Sequence, residues 1–238
     1  MQLIILAAGT GSRLGGLTKK IPKSLLKIRN RSIIEYQLKQ FKNHKVTRVI
    51  IVTGFGTRFI KEKLGKKIKY IFNKKFMETN NMFSLWLARN FLKKEDTIIT
   101  FADLIMSKSI IKKVVKSKNS ICVAVDTSKV LKGTMKVKIK RNFLKRIGKK
   151  NEIKPDGNFI GIAKIRKSKI LLFRKTLKEI VSFSKKKYYT EVFNRLIKKN
   201  EFINIINVKK NFWKEVDTKN DLIDLEKKIR ISKIYRSI

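Results

Sequence analysis

The chain has 238 residues, 42% of them hydrophobic and 9% aromatic, a composition that supports a substantial core and excludes disorder as the ground state. Its 60 Lys and Arg against 17 Asp and Glu give a formal net charge of +43, and no uninterrupted apolar stretch approaches the roughly 20 residues that span a bilayer. One cysteine, Cys122, excludes an internal disulfide; within the apolar run SICVAV it reads as a small buried hydrophobe, which fits a reducing, cytoplasmic setting.

The charge admits two readings. A basic surface can hold nucleic acid or an anionic membrane, or lysine simply fills every solvated position. The lysines are scattered along the whole chain with abundant Ile and Asn, and no basic block is interleaved with aromatics. The second reading is therefore the expectation, with no specific nucleic-acid partner.

MQLIILAAG opens without a basic segment and runs straight into glycines, so it reads as a first strand, Leu3 to Leu6, and not as a signal peptide. A helical stretch over Ile33 to Phe41 leads into RVIIVTGF, a continuous apolar run of strand length. A basic helix around Ile60 to Leu64, the short strand KYIF, a helical segment from Asn81 to Phe91 and the buried-type strand TIITFAD follow. Strands that are apolar throughout, alternating with amphipathic helices, predict a parallel sheet covered on both faces. After Asp103 the rhythm changes. SICVAV, MKVKIK and FLKRIG come in quick order, with Met135, Val137 and Ile139 alternating as in a half-exposed antiparallel strand. GNFIGIAKI is another strand. Ile170, Phe173, Leu177, Ile180 and Val181 form one helical stripe, and Val192, Phe193, Leu196 and Ile197 a second. A short strand near Trp213 and a helix from about Lys219 close the chain. With two prolines and no Gly/Ser linker, the expectation is one domain: α/β, Rossmann-like, three layers α/β/α around a mixed, mainly parallel central sheet.

The stretch LAAGTGSRLGGLTKKIPK, Leu6 to Lys23, carries the chemistry. A strand ending at Ala7-Ala8 and opening into glycines exposes backbone N–H groups at the carboxyl end of a sheet, where α/β proteins bind ligands. Gly9 and Gly11 permit positive φ and close approach to a phosphate. Arg13 can pair bidentately with phosphate oxygens, and Lys23 adds a compact positive charge. The stretch is neither a Walker A loop nor a dinucleotide fingerprint. On glycines alone, a flexible connector is the favoured reading.

The whole string resembles a family signature, L-A-A-G-x-G-x-R-L-x-x-x-T-x-x-x-P-K, of nucleotidyltransferases that activate sugar 1-phosphates and related phosphates, and it matches at every fixed position. Phe101-Ala102-Asp103 falls where that family places a magnesium-ligating aspartate, with Ala where Gly is usual. Trp213-Lys214-Glu215-Val216-Asp217-Thr218 looks like the W-x-E-I-D-T segment of a subgroup whose aspartate joins the first on the metal. ETNNMFSLWLAR, GNFIGIAKI and YYTEVFNRLI are similar to small cytidylyltransferases acting on phosphocholine or 2-aminoethylphosphonate.

The resemblance implies attack by a phosphate or phosphonate oxygen on the α-phosphorus of a nucleoside triphosphate, CTP favoured, with pyrophosphate leaving and Mg²⁺ as cofactor. It divides the chain into a nucleotide-binding half, 1–103, and an acceptor-binding half, 104–238. Leu6, Ala7, Ala8, Gly9, Gly11, Ser12, Arg13, Lys23, Asn80 and Asn81 would hold the nucleotide, with Arg13 and Lys23 catalytic and Asp103 and Asp217 on the metal. Lys149, beside Lys150, would reach the acceptor phosphate. Tyr189, Glu191, Trp213 and Glu215 would surround a cationic choline or aminoethyl end.

Each of these has a plainer alternative. Asp103 would merely end a strand; Asp217 would be a turn residue before a Thr218–Asp221 capping box. Asn80 and Asn81 would only cap a helix, Tyr189 and Trp213 would be core, and Glu191 a solvated helix position. Two other functions stand beside the first: a sugar-1-phosphate nucleotidyltransferase using UTP, dTTP or CTP, and a non-catalytic module for an anionic surface or RNA. A homodimer is left open.

Overall fold

In the computed structural model, which describes residues 1–42, 44–149 and 154–231, the first strand lies deep inside the sheet. That strand, β1 (Gln2–Ala7), sends Leu3 and Ile5 to one face and Ile4 and Leu6 to the other, and each set enters a separate buried cluster. A strand covered on both faces has no solvated side for polar residues, which is why QLIILA does not alternate.

Along the chain there follow 3-10 turns over Ser12–Thr18 and Lys23–Leu25, the short strands β2 (Lys27–Ile28) and β3 (Arg31–Ser32), helix α1 (Ile33–Lys42), β4 (Arg48–Thr53), α2 (Thr57–Leu64) and β5 (Lys69–Phe72). Then come α3 (Asn81–Leu87), β6 (Thr97–Phe101), β7 (Leu104–Met106), α4 (Lys108–Lys116), β8 (Ile121–Asp126), β9 (Met135–Lys140), β10 (Phe143–Gly148) and β11 (Gly157–Ile165). The last elements are α5 (Lys167–Phe183), α6 (Glu191–Lys198), β12 (Asn204–Asn207), β13 (Trp213–Glu215) and α7 (Lys219–Ile231).

The main sheet has the order β5-β4-β1-β6-β11-β8-β12-β10-β9. Strands β5, β4, β1 and β6 are parallel neighbours, β11 runs antiparallel between β6 and β8, and β12 is parallel to β8. The sheet is thus mixed, as expected, with a parallel block β5-β4-β1-β6 and antiparallel pairings of β11 with β6, β8 and β9 and of β10 with β12 and β9, and it continues without a break from the first half of the chain into the second through the β6–β11 pairing. Ile34 and Phe41 of α1, Ile60 of α2 and Ile110, Ile111 and Val114 of α4 cover one face. Met82 and Leu85 of α3 cover the other, together with α5 and α6 through Phe173, Leu177, Val192 and Phe193. A third cluster sets Leu225 of α7 against Leu14, Leu26, Ile105 and Val216, so the closing helix clasps the glycine-rich loop to the rest. No described helix is long and apolar enough to cross a membrane.

Two local expectations change. The helix read from Asn81 to Phe91 stops at Leu87; Ala88 leaves helical geometry (φ −84°, ψ 5°) and a 3-10 turn over Arg89–Phe91 replaces its last turn. Lys136, placed by alternation on the exposed side of β9, is 1% exposed. Its ammonium is satisfied inside by the carbonyls of Leu131 and Thr134 and by the Thr134 hydroxyl (2.7 Å). Strand β12 has no strong sequence signal, since its apolar pair Ile205-Ile206 is flanked by asparagines.

Candidate active site

The opening loop leaves β1 at the carboxyl edge of the parallel strands. Gly11 adopts φ +71°, and a Cβ there would lie 3.0 Å from Lys23 Cβ and 3.2 Å from Thr18 Cγ2, so both conformation and space demand glycine. Thr18 donates its hydroxyl to the Gly11 carbonyl (2.9 Å), which closes the loop on itself. Gly9, expected to share the positive φ, does not; a Cβ on it would meet nothing within 4 Å. Its value is an open approach to backbone, not an unusual conformation. The loop is also seated from outside: a Cβ on Gly54, just past β4, would stand 2.4 Å from the Ala8 carbonyl oxygen.

Opposite the loop three carboxylates converge. Strand β6 ends and Asp103 turns the chain into β7, which pairs antiparallel with β13 in the register Leu104↔Glu215. Val216 N–H donates to the Asp103 carbonyl (2.9 Å). This two-stranded ribbon brings Asp103, Glu215 and Asp217 together, with a ligand atom from each within 4.8 Å of the others. Buried Gln37 of α1 fixes the turn, its amide donating to the carbonyls of Phe101 and Leu104, both at 2.9 Å. Thr218 and Asp221 form the expected capping box at the start of α7 (Thr218 N–H to Asp221 Oδ2 2.9 Å, Asp221 N–H to Thr218 Oγ1 3.2 Å), which sets the backbone next to Asp217.

Lys23 joins loop and carboxylates. Its Nζ donates to Asp103 Oδ2 at 2.7 Å and to Asp217 Oδ1 at 2.5 Å, and Arg13 Nη2 reaches the same Asp217 oxygen at 2.9 Å. Burial works against the Lys23 charge, but Asp103 and Asp217 outweigh it and raise its pKa. Burial, reinforced by the charges of Asp103 and Asp217, pushes the Glu215 carboxyl up to about 8. Asp103 Oδ1 is buried and has no hydrogen-bond partner among the described residues. An all-oxygen donor set, a carboxylate oxygen without a bond and mutual repulsion that a cation would relieve together fit a hard divalent ion.

Loop, carboxylates and the second half of the chain enclose a cleft of about 970 Å³. Of the residues proposed from sequence, Leu6, Ala7, Ala8, Gly9, Gly11, Ser12, Arg13, Lys23, Asn80, Asn81, Asp103, Lys149, Glu215 and Asp217 line it. Asn80 does cap α3, accepting from Asn81 N–H at 2.8 Å, while the Asn81 side-chain oxygen accepts from Tyr189 N–H at 2.8 Å. Lys150 lies outside the described residues.

Three expected acceptor contacts are not brought to the cleft. Tyr189 is fully buried, edge-on to Phe101, Phe159 and Phe193. Glu191 sits at the head of α6 and accepts from the Asn194 amide (3.2 Å). Trp213 donates its indole N–H to Asp126 (2.8 Å) and so ties β13 to the main sheet. Tyr188, one residue earlier, lines the cleft instead, together with Phe76, Phe101 and Phe159, and Lys149 Nζ lies 5.4 Å from its ring centroid. Glu215, expected at the acceptor, belongs to the carboxylate cluster instead. Gln37 and the Lys132–Lys136 segment carry no motif in the sequence, the one being a polar residue on a helix and the other a turn that leads into β9.

A family model described as nucleotidyl transferase matches residues 2–231. Over 256 aligned residues, covering 95% of this chain and 100% of the relative, the sequence is 28% identical to a CTP:phosphoglutamine cytidylyltransferase of Campylobacter jejuni. A choline-phosphate cytidylyltransferase of Streptococcus pneumoniae is 37% identical over 92 residues, 37% of this chain and 39% of that protein. The solved structure of a CTP:phosphocholine cytidylyltransferase from Streptococcus pneumoniae superimposes with a TM-score of 0.78 at 22% identity, covering 95% of this chain and 97% of that one, which shows a shared fold. Both sequence relatives are cytidylyltransferases, the subgroup that the motifs resemble. With its signature loop, its paired aspartates and a match over nearly its whole length, the chain belongs to the nucleotidyl transferase family.

Proposed function

We propose that the protein transfers CMP from CTP to a small phosphorylated acceptor and releases pyrophosphate. The observation that carries this reading is the meeting of Lys23 with Asp103 and Asp217 at the lip of the glycine loop, within one cleft shared by both halves of the chain. Residues 1–103 form the nucleotide side and 104–238 the acceptor side of a single domain, working in the cytoplasm where CTP is available.

An acceptor phosphate is already ionised, so the reaction needs no general base, and the cleft lining contains no histidine among the described residues. An acceptor oxygen forms a bond to the α-phosphorus while the bond from that phosphorus to the bridging oxygen breaks, and pyrophosphate departs with the electron pair. Catalysis then rests on alignment and on charge neutralisation. The loop from Gly9 to Ser12 offers backbone N–H groups, Arg13 and Lys23 exchange carboxylate partners for phosphate oxygens, and Asn80 and Asn81 contact the base or ribose. Asp103 and Asp217, with Glu215 as a third oxygen donor, would hold Mg²⁺, which supplies positive charge against the triphosphate.

Pyrophosphate release, measured with each nucleoside triphosphate against a panel of phosphorylated acceptors and with Mg²⁺ omitted, tests the proposal. CTP is expected to give the fastest release, dependent on both acceptor and metal. Preference for UTP or dTTP with a sugar 1-phosphate would replace the reading, and no release from any pair would end it.

A further inference from the structure

Residues 127–134 join β8 to β9, and the last three of them, Lys132, Gly133 and Thr134, line the cleft. Apolar packing does not shape this connection. Val130 is exposed, Leu131 is half-buried, and both lie outside the three buried clusters. Its shape comes from one side chain of β11, the strand that pairs with both of the strands the loop joins. Asn158 stands opposite Asp126 of β8 on one side and Lys136 of β9 on the other. It is fully buried and does not itself line the cleft. Its Oδ1 accepts from the Leu131 N–H (2.8 Å) and the Thr134 hydroxyl (2.9 Å), and its Nδ2 donates to the carbonyls of Lys129 (2.5 Å) and Asp126 (3.3 Å). One amide therefore bonds the beginning, middle and end of the connection. Buried Lys136 adds a second clasp from β9, donating to the carbonyls of Leu131 and Thr134. A satisfied buried polar network rigidifies what it bonds, whereas loops at ligand clefts are otherwise the loosest parts of a scaffold.

We infer that Asn158 is a positioning residue for the acceptor: from outside the cleft it holds residues 132–134 in the shape that receives the acceptor, with Lys136 as the second clasp. This inference rests on the cytidylyl-transfer reading and deepens it by naming what presets the acceptor side.

Three variants of the full chain test it. Asn158→Leu removes the amide, Asn158→Asp keeps an oxygen for Leu131 and Thr134, and Lys136→Met removes the second clasp. One readout is hydrogen exchange at the Leu131 amide. The other is pyrophosphate release from CTP with phosphocholine, O-phosphoethanolamine or glucose 1-phosphate, followed with whichever is fastest. In Asn158→Leu the Leu131 amide should exchange at least about tenfold faster and the acceptor KM should rise about tenfold, with the CTP KM and the Mg²⁺ dependence within about twofold of the parent. Asn158→Asp should recover most of the acceptor KM, and Lys136→Met should shift it in the same direction as Asn158→Leu by less. If Asn158→Leu does not fold, Lys136→Met carries the same comparison. A lowered melting temperature with an unchanged acceptor KM would make Asn158 purely structural and overturn the inference, as would a rise in the CTP KM in place of the acceptor's. If no acceptor supports pyrophosphate release, the functional reading fails and exchange decides separately. Faster exchange at Leu131 in the variants sustains the pinned cleft edge, and unchanged exchange removes it.

Discussion

One wall of the cleft, the proposed nucleotide side, is backbone, the Gly9–Ser12 turn at the end of β1, seated by Gly54 and closed by Thr18. The opposite wall, the proposed acceptor side, is made of side chains, among them Lys132, Lys149 and Tyr188, carried by the antiparallel extension and the segment before α6. A wall of backbone constrains residue type at each step, since only glycine fits where φ is positive and a neighbour stands 3.0 Å from a would-be Cβ. A wall of side chains can be built from many combinations. On the proposed reading, the first wall would serve any triphosphate of the right shape, while selectivity for the acceptor would be free to change on the second.

The largest effect is expected where the two walls share an atom. Lys23→Ala should lower turnover about a hundred- to a thousandfold, the loss seen when a positioned charge donor is removed from a transition state. It also leaves Asp103, Glu215 and Asp217 facing one another with their bridging ammonium gone. The melting temperature of the variant should fall without Mg²⁺ and recover more strongly than that of the parent when Mg²⁺ is added. Near-normal turnover would remove Lys23 from the mechanism.

Gln37→Leu comes next. It strips the donors from the Phe101 and Leu104 carbonyls on either side of Asp103, at a cost of about 1–3 kcal/mol in denaturant unfolding. If the amide positions the carboxylate, half-saturation by Mg²⁺ should rise about tenfold, as outer-shell losses do. A drop in stability with unchanged Mg²⁺ dependence would make Gln37 purely structural.

A smaller effect belongs to Glu35, which starts the helix that carries Gln37. Its Oε2 accepts from the Ser32 N–H (2.8 Å) and hydroxyl (2.7 Å), and Lys63 lies 3.3 Å from its other oxygen. Burial would raise its pKa, but the Ser32 bonds and Lys63 outweigh it and bring it below the ordinary value. A lowered folded-state pKa contributes stability above the unfolded value, and that contribution disappears as pH falls through the folded value. Glu35→Gln should therefore cost about 0.5 kcal/mol at neutral pH. The gap to the parent should close under acid, below about pH 4.3. A gap that persists at low pH would assign the cost to geometry.

The same contrast explains what was legible in the sequence. The glycine loop is readable because its signature fixes residue type at fixed spacing, and Asp103 and Asp217 are readable because the segments around them resemble those of the family. The continuous apolar strands are readable because a doubly covered sheet tolerates little else. Lys136 is buried where alternation alone would expose it, because alternation reports which face a residue takes, not whether a loop will fold over that face with carbonyls for its ammonium. The joining of Asp103 to Glu215 depends on the β7–β13 register, a pairing between three-residue strands far apart in the chain that no local pattern encodes. Tyr188 and Tyr189 are adjacent and chemically identical, so only the path of the chain before α6 decides which one faces the cleft.

That choice yields the smallest and most discriminating expectation. Tyr189 is packed among phenylalanines, its hydroxyl is buried with no partner among the described residues, and burial pushes its pKa up so that it stays neutral. Tyr189→Phe removes a polar atom that gains nothing from its surroundings, so stability should hold or rise by about 1 kcal/mol, with turnover unchanged. Tyr188→Ala, by contrast, frees Lys149 from its ring and should weaken acceptor use without altering the CTP dependence. If Tyr189→Phe instead lowered acceptor kcat/KM at an unchanged melting temperature, its hydroxyl would have to reach the ligand, and the acceptor wall would include the core side of this turn as well as its open face.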